Sequence, residues 1–402
     1  MDTAALKETW ALAETLGDEV PLYFYSHLFL SHPEVRSMFP VSMATQRDRL
    51  VGALGRIVSR VDQLDEVTGF IQQLGRDHRR FEAVAAHYDA VGVSLLATLQ
   101  HFLGERWTPE LAADWAAAYR VIATTMVQAA EESELTSPAA WSAEVIGVDR
   151  RSLDIGVIQV RPERALPFEP GQSIAVEVPT RERLWRYLSP ANAPRTDGTI
   201  EFHVQLVPGG RVSGVLVRSL AVGDTIRLGA AVGQELTLAG DDRERDLLMV
   251  AGGTGLAPLR AHLQRIDEQW ERTGKAPRVH LFHGTRVPWN LYEHQLLRNL
   301  TVRPWFSYTP VVSDDPSYPG RRGLVGDAAV EDGPWSGSLG LVCGSAKMVR
   351  HTVSRLQTAG IPSTDLRYEQ FAALDEDSPS PHHDTQERQP DEAAVEKIGD
   401  LV

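Results

Sequence analysis

The chain has a single cysteine, Cys343, in 402 residues. An internal disulfide is therefore excluded, and a cysteine-based zinc centre has no ligand set. One lone thiol fits the reducing cytosol, so a cytoplasmic location is expected. No apolar run approaches the roughly 18 to 20 residues that a membrane span needs, and no span is expected. The opening stretch, MDTAALKETWALAE, lacks the basic start and apolar core of a secretory signal. Positive charge is in deficit too. Forty Lys and Arg against 54 Asp and Glu leave a net charge of −14, which argues against nucleic acid or an anionic membrane as partner. No internal repeat is visible, and no feature of the sequence bears on oligomeric state.

What remains is 43% hydrophobic and 23% charged, the balance of a soluble globular protein. The length calls for two or three cores rather than one, and the pattern changes accordingly along the chain. Residues 1–136 are expected to be all-α. Val67, Phe70, Ile71, Leu74, His78 and Phe81 recur at helical spacing over 65–81, and Gln46 leads a similar stripe through Leu50, Leu54, Ile57, Val58 and Val61. Two longer helices are expected over 88–103 and 109–132. Residues 140–241 carry strand signals. Ile200, Phe202, Val204 and Leu206 alternate with Glu201, His203 and Gln205 as in a half-buried strand, and turn signals such as Pro208-Gly-Gly recur. An antiparallel β-barrel is the expected form. Residues 243–371 alternate buried runs (LLMVA, VHLF, LGLVC) with helical segments, the rhythm of an α/β parallel sheet. Residues 372–402 hold nine acidic and two basic residues, half the net charge of the chain, and form an acidic tail expected to be disordered.

The stretch VAGGTGLAPL (250–259) sets glycines between a buried strand and a helix entry. Such a turn lets a diphosphate approach the backbone and the free N–H groups of the helix start, although the same turn also serves as a plain tight connection. Pro258 suits the first helical turn. His78 taken alone reads first as a core or boundary histidine satisfied by a carbonyl. A single histidine on an apolar face can nevertheless ligate haem, because the porphyrin supplies four ligands itself.

The order of motifs decides between these readings. RYLSPAN (186–192), PGGRVS (208–213), GGTGLAP (252–258), HGTR (283–286), VCGSAKM (342–348) and YEQF (368–371) resemble the ferredoxin–NADP reductase superfamily. FYSHLFLSHPEVRSMF (24–39), DHRRF (77–81) and HYDAVGVSLLATL (87–99) resemble the globin domain of flavohemoglobins. Together they resemble the flavohemoglobin family over about 370 residues. The resemblance implies haem b, FAD and NAD(P)H as cofactors. It implies a nitric oxide dioxygenase that turns NO and O2 into nitrate, with electrons passing from NAD(P)H to FAD to haem.

By that resemblance His78 is the iron ligand, Phe39 wedges against the haem, and Tyr25, Gln46 and Leu50 line the distal pocket. A hydroxyl and an amide there can donate to a polarised diatomic, and the apolar neighbour excludes water. Tyr88 matches a tyrosine that supports the ligand histidine. Arg186 and Ser189 are implied in flavin and diphosphate contact, with Tyr187 and Leu188 between them, and Gly210, Arg211, Val212 and Ser213 close around phosphates. Gly252, Gly253, Thr254, Gly255, Leu256, Ala257 and Pro258 would cradle the dinucleotide, with Arg286, Cys343, Gly344 and Met348 nearby. Glu369 and Phe371 would flank the flavin ring.

The chain also departs from the pattern. Leu188 stands in place of a flavin-contacting tyrosine, and neighbouring Tyr187 is expected to face the other side of its strand. Ser173 replaces an aromatic residue, Ser345 a proline, and AAVGQE (230–235) a Pro-x-Gly-x-Phe. Ala130 stands where a glutamate would partner Tyr88. Two other functions stay open: the same electron path serving another haem-dependent oxidation or NAD(P)H:acceptor reduction, and a non-enzymatic gas binder or sensor.

Overall fold

In a computed structural model, residues 1–371 are described, except the side chains of Thr45 and Phe371. The acidic tail expected over 372–402 lies outside the described residues. Six helices come first: α1 (Thr3–Glu14), α2 (Glu19–Ser31), α3 (Ala44–Ser59), α4 (Leu64–His78), α5 (Ala85–Leu103) and α6 (Pro109–Glu134). Their starts follow side-chain chemistry. Asp2 accepts from the amides of Ala4 and Ala5, and Thr108 accepts from Leu111 with Pro109 in the first turn of α6. The helical stripe expected to reach Phe81 stops at His78. A 3-10 turn over Arg79–Phe81 follows, and Glu82 at φ 62° takes the left-handed conformation that turns the chain away.

These helices enclose two separate apolar clusters. One gathers Leu6, Trp10, Phe24, Tyr25, Leu28, Leu99 and Trp115. The other gathers Ile57, Val67, Ile71, Tyr88 and Met126. Helices α4 and α6 touch backbone to backbone at Gly75, where an added Cβ would lie 2.2 Å from the Met126 carbonyl oxygen.

The second unit is an antiparallel sheet of β1 (Trp141–Arg150), β2 (Ile155–Pro162), β3 (Ser173–Glu177), β4 (Arg186–Leu188), β5 (Ile200–Gln205) and β6 (Thr225–Val232), in the order β4-β3-β6-β1-β2-β5. A bridge between Pro190 and Phe202 joins the β4 end to β5 and closes the sheet into a barrel. Its interior holds Ile158, Ile174, Val176, Ile200, Phe202 and Ile226, and a short helix, α7 (Arg211–Arg218), adds Val212 and Leu216. Strand β5 departs from the half-buried reading, because Glu201 and His203 on its polar face are also buried. The third unit covers that face. Arg260 pairs with Glu201 at 2.8 Å and with Glu293 at 3.4 Å, and His203 Nδ1 lies 2.9 Å from the Tyr292 hydroxyl.

That third unit is a parallel sheet in the order β10-β9-β8-β7-β11-β12. Its elements are β7 (Leu247–Gly252), α8 (Leu256–Thr273), β8 (Val279–Thr285), α9 (His294–Leu300), β9 (Phe306–Val312), β10 (Arg321–Arg322), α10 (Val325–Glu331), β11 (Leu339–Ser345), α11 (Ala346–Thr358) and β12 (Leu366–Phe371). Helices α8 and α9 pack on one face, α10 and α11 on the other. The winding reverses between β7 and β11, so their carboxyl ends form the crevice where such sheets bind ligands. Among the described residues, no helix is long and apolar enough to cross a membrane.

Candidate functional site

His78 closes α4, and its imidazole is oriented by the helix itself. Nδ1 lies 2.6 Å from the Leu74 carbonyl, which fixes Nδ1 as the protonated nitrogen. Nε2, with its lone pair, has no hydrogen-bond partner among the described residues. Burial lowers the pKa of the ring, so the neutral, ligating form is held. Half-buried Phe70, Leu74, Ile122 and Val127 flank this side. Half-buried Phe39, Leu50 and Leu54 extend the other cluster. A neutral imidazole with a free Nε2 among apolar side chains fits haem. Among the described residues no cluster of three or more His, Cys, Asp or Glu could hold another metal.

Tyr25 on α2 packs edge-on to Phe39 at 5.6 Å. Its hydroxyl donates at 3.2 Å to the backbone carbonyl of Gln46, and burial raises its pKa, so it stays a donor. Gln46 and Leu50 sit in the first half of α3, both half-buried. Tyr88 is buried 6.2 Å, ring to ring, from His78. Its carbonyl, rather than its hydroxyl, carries the recorded bond, accepting from the Tyr119 hydroxyl at 2.6 Å. Gly92 leaves the room for Tyr119, since a Cβ there would lie 2.6 Å from its ring. Glu131 and Glu132 are exposed. The partner of His78 is therefore a neutral carbonyl, not a carboxylate.

The flavin-type motifs converge on the barrel surface. Gly210 precedes α7, and its bare Cα admits Ser213, whose Oγ accepts from the Val207 amide at 3.2 Å. Arg211 opens the helix, but Val212 turns into the barrel core, so only its amide is open to a phosphate. Leu188 likewise packs against the barrel interior, while Arg186 and Ser189 flank it. The departure at Ser173 acquires a role. Its hydroxyl lies 3.2 Å from that of Ser189 and donates at 3.0 Å to Glu369. Burial pushes the Glu369 carboxyl up to about 7, with the charge of Glu235 adding to it. This hydroxyl–hydroxyl–carboxyl row spans the second and third units where a flavin ring would lie. Phe371 ends β12 beside it in sequence.

At the winding reversal the two glycine turns touch. A Cβ on Gly255 would strike the Cys343 carbonyl at 2.2 Å, and one on Gly344 would lie 3.1 Å from the Gly252 Cα. Gly253 sits at φ 55°, and His283 donates from Nε2 to its carbonyl at 3.0 Å. Thr254 is buried. Leu256, Ala257 and Pro258 are buried in the first turn of α8, so they offer backbone amides rather than side chains. The Cys343 side chain belongs to the core behind the turn, and Met348 packs over Gly252. Ser345, in place of proline, caps α11 by accepting from the Met348 amide. Arg286 pairs with Asp314 at 2.7 Å beyond the ends of β8 and β9.

Known families match in this same order. The globin family model covers residues 22–126, the oxidoreductase FAD-binding domain 142–235, and the oxidoreductase NAD-binding domain 249–354. A flavohemoprotein of Vibrio cholerae is 21% identical over 389 residues, 91% of this chain and 96% of its own. The chain thus joins a globin domain to FAD- and NAD-binding oxidoreductase domains, and over nearly its whole length it is similar to flavohemoproteins. A crystal structure of the flavohemoglobin from Malassezia yamatoensis, with bound FAD and heme, shares the fold at TM-score 0.74 and 16% identity, covering 92% of this chain and 98% of that one. The reductase half has relatives without a globin in their names. The phenol 2-monooxygenase reductase component of a Pseudomonas species is 32% identical over 220 residues, 53% of this chain and 60% of that protein. The chain is thus an oxidoreductase in which a globin precedes an FAD- and NAD-binding reductase module.

Several residues that hold the site together carry no motif. Arg260 and Tyr292 behind the nicotinamide turn are among them, as are Trp185 and Tyr119. Each acts through a partner far away in sequence.

Proposed function

We propose that this chain is a flavohemoglobin that acts as a nitric oxide dioxygenase, with electrons passing from NAD(P)H through FAD to haem. Two NO, two O2 and one hydride from NAD(P)H give two nitrates, NAD(P)+ and a proton. When bound, FAD converts a hydride pair into single electrons and haem iron supplies the diatomic-gas chemistry. The chain's own residues do the rest. The Gly252–Gly255 turn and the α8 amides hold the diphosphate. Ser173, Ser189 and Glu369 hold a proton beside the flavin position. Leu74 keeps His78 in its ligating tautomer, and Phe39 and Leu50 exclude water. The Tyr25 hydroxyl, which donates to the Gln46 carbonyl, would turn that proton to a polarised diatomic. The observation that carries the reading is His78 Nε2, neutral and unpartnered, at the end of a helix in a globin domain joined to FAD- and NAD-binding reductase domains.

The experiment is NADH oxidation by the holoenzyme with O2, with and without NO, with nitrate quantified. Acceleration by NO with matching nitrate supports the reading; no acceleration by NO sinks it. One observation favours a second reading. The neutral carbonyl behind His78 gives less electron push than a carboxylate, which suits the same electron path delivering to another oxidation or to a diffusible acceptor.

A further inference from the structure

Strand β4 and its preceding residue have two faces. Alternation sends Arg186 one way and Trp185 and Tyr187 the other, and that second face meets the helical unit. The Tyr187 hydroxyl donates to Asp77 Oδ2 at 3.1 Å and accepts from Arg80 Nη2 at 3.2 Å. Arg80 and Asp77 pair at 3.6 Å. Both flank His78, one residue before it and two after.

Arg80 is 8% exposed, and its Nε has no hydrogen-bond partner among the described residues. Aromatic faces compensate. The guanidinium lies 5.1 Å from the Trp185 ring, 5.3 Å from Phe81 and 5.6 Å from Tyr187. Trp185 also carries Arg227 at 5.3 Å, and Arg227 reaches the Arg80 carbonyl at 3.4 Å. Gly229 has no side chain to push Arg80 away: a Cβ would approach its Nη1 to 3.2 Å. A buried charge held so fully is costly to disturb.

We propose that Tyr187 is a positioning residue that locks the His78 helix to the flavin-binding strand, and so sets the rate at which electrons pass from flavin to haem. The tyrosine missing at 188 is thereby accounted for: at 187 it serves the joint between units instead of the flavin face. The inference rests on the electron path and is independent of the nitric oxide reading.

The test uses holoenzyme under CO without NO, following flavin bleaching and the ferrous–CO band after mixing with NADH. Asp77→Ala and Tyr187→Phe each slow haem reduction by about tenfold, the scale of an ångström-level misplacement. Flavin bleaching in Asp77→Ala keeps the wild-type rate. The double variant is no slower than the slower single, because both remove one interaction. Asp77→Asn, which keeps an oxygen acceptor, stays near wild type. Amide exchange over residues 74–82 rises in Asp77→Ala even in haem-free protein. Unchanged haem reduction in the single variants, or slowdowns that multiply in the double, overturns the proposal. Should Tyr187→Phe fail to retain both chromophores, the Asp77 pair decides: Asn fast and Ala slow supports it, and equal rates overturn it.

Discussion

Single side chains set the chemistry of each centre. His78 is the only residue whose loss is expected to abolish haem ligation, so His78→Gly should lose the ferrous–CO spectrum and regain it with added imidazole. Glu369 offers a pH signature. Its carboxyl is raised from 4.5 to about 7, so the folded protein binds a proton that the unfolded chain releases between those values. The stability this proton confers is full below about pH 4.5 and fades as pH rises through 7, by up to about 3 kcal/mol. Thermal melts at pH 5 and pH 8 should show that difference shrinking in Glu369→Gln. The stripe carrying His78 was legible from spacing alone, whereas Tyr25 and Gln46 came into view only through the family resemblance. The Ser173–Glu369 bond was not, because 196 positions separate its partners and a serine in place of an aromatic residue reads only as a departure.

Elements hold those side chains through close backbone approaches. Gly75 against Met126 fixes α4 on α6, so Gly75→Ala must separate two helices and is expected to cost about 1–3 kcal/mol. Urea unfolding followed by circular dichroism checks this; an unchanged midpoint would show that the helices slide apart freely. Near the sheet edge, Asp314 pairs with the guanidinium of Arg286, and a guanidinium is the group that takes a 2′-phosphate in dinucleotide sites. NADH is therefore the expected donor. Asp314→Ser, which frees that guanidinium, should raise kcat/KM for NADPH relative to NADH, and an unchanged ratio would contradict this. Helices and strands were readable from periodicity, down to the glycine turns at the winding reversal. Strand β5 was not fully readable. Glu201 and His203 look like a solvent face, and only the Arg260–Glu293 cluster of the third unit turns that face inward.

At the scale of the whole molecule, three units are joined by buried polar contacts, with aromatic rings beside one of them. Glu201–Arg260–Glu293 links barrel to parallel sheet, and Asp77–Tyr187–Arg80 links helical unit to barrel. Such contacts fix orientation, and a missing partner leaves a buried charge exposed to full desolvation cost. The order of the units could be read from motifs, but not the joints, since partners 110 residues apart share no local pattern.

The central claim is one electron path from nicotinamide through flavin to the iron position at His78. An absorption spectrum of the anaerobic holoenzyme under CO, before and after NADH, tests it most directly. The expected result is flavin bleaching followed by a ferrous–CO band in wild type, with no such band in His78→Gly. Flavin bleaching with the haem left ferric would contradict the path.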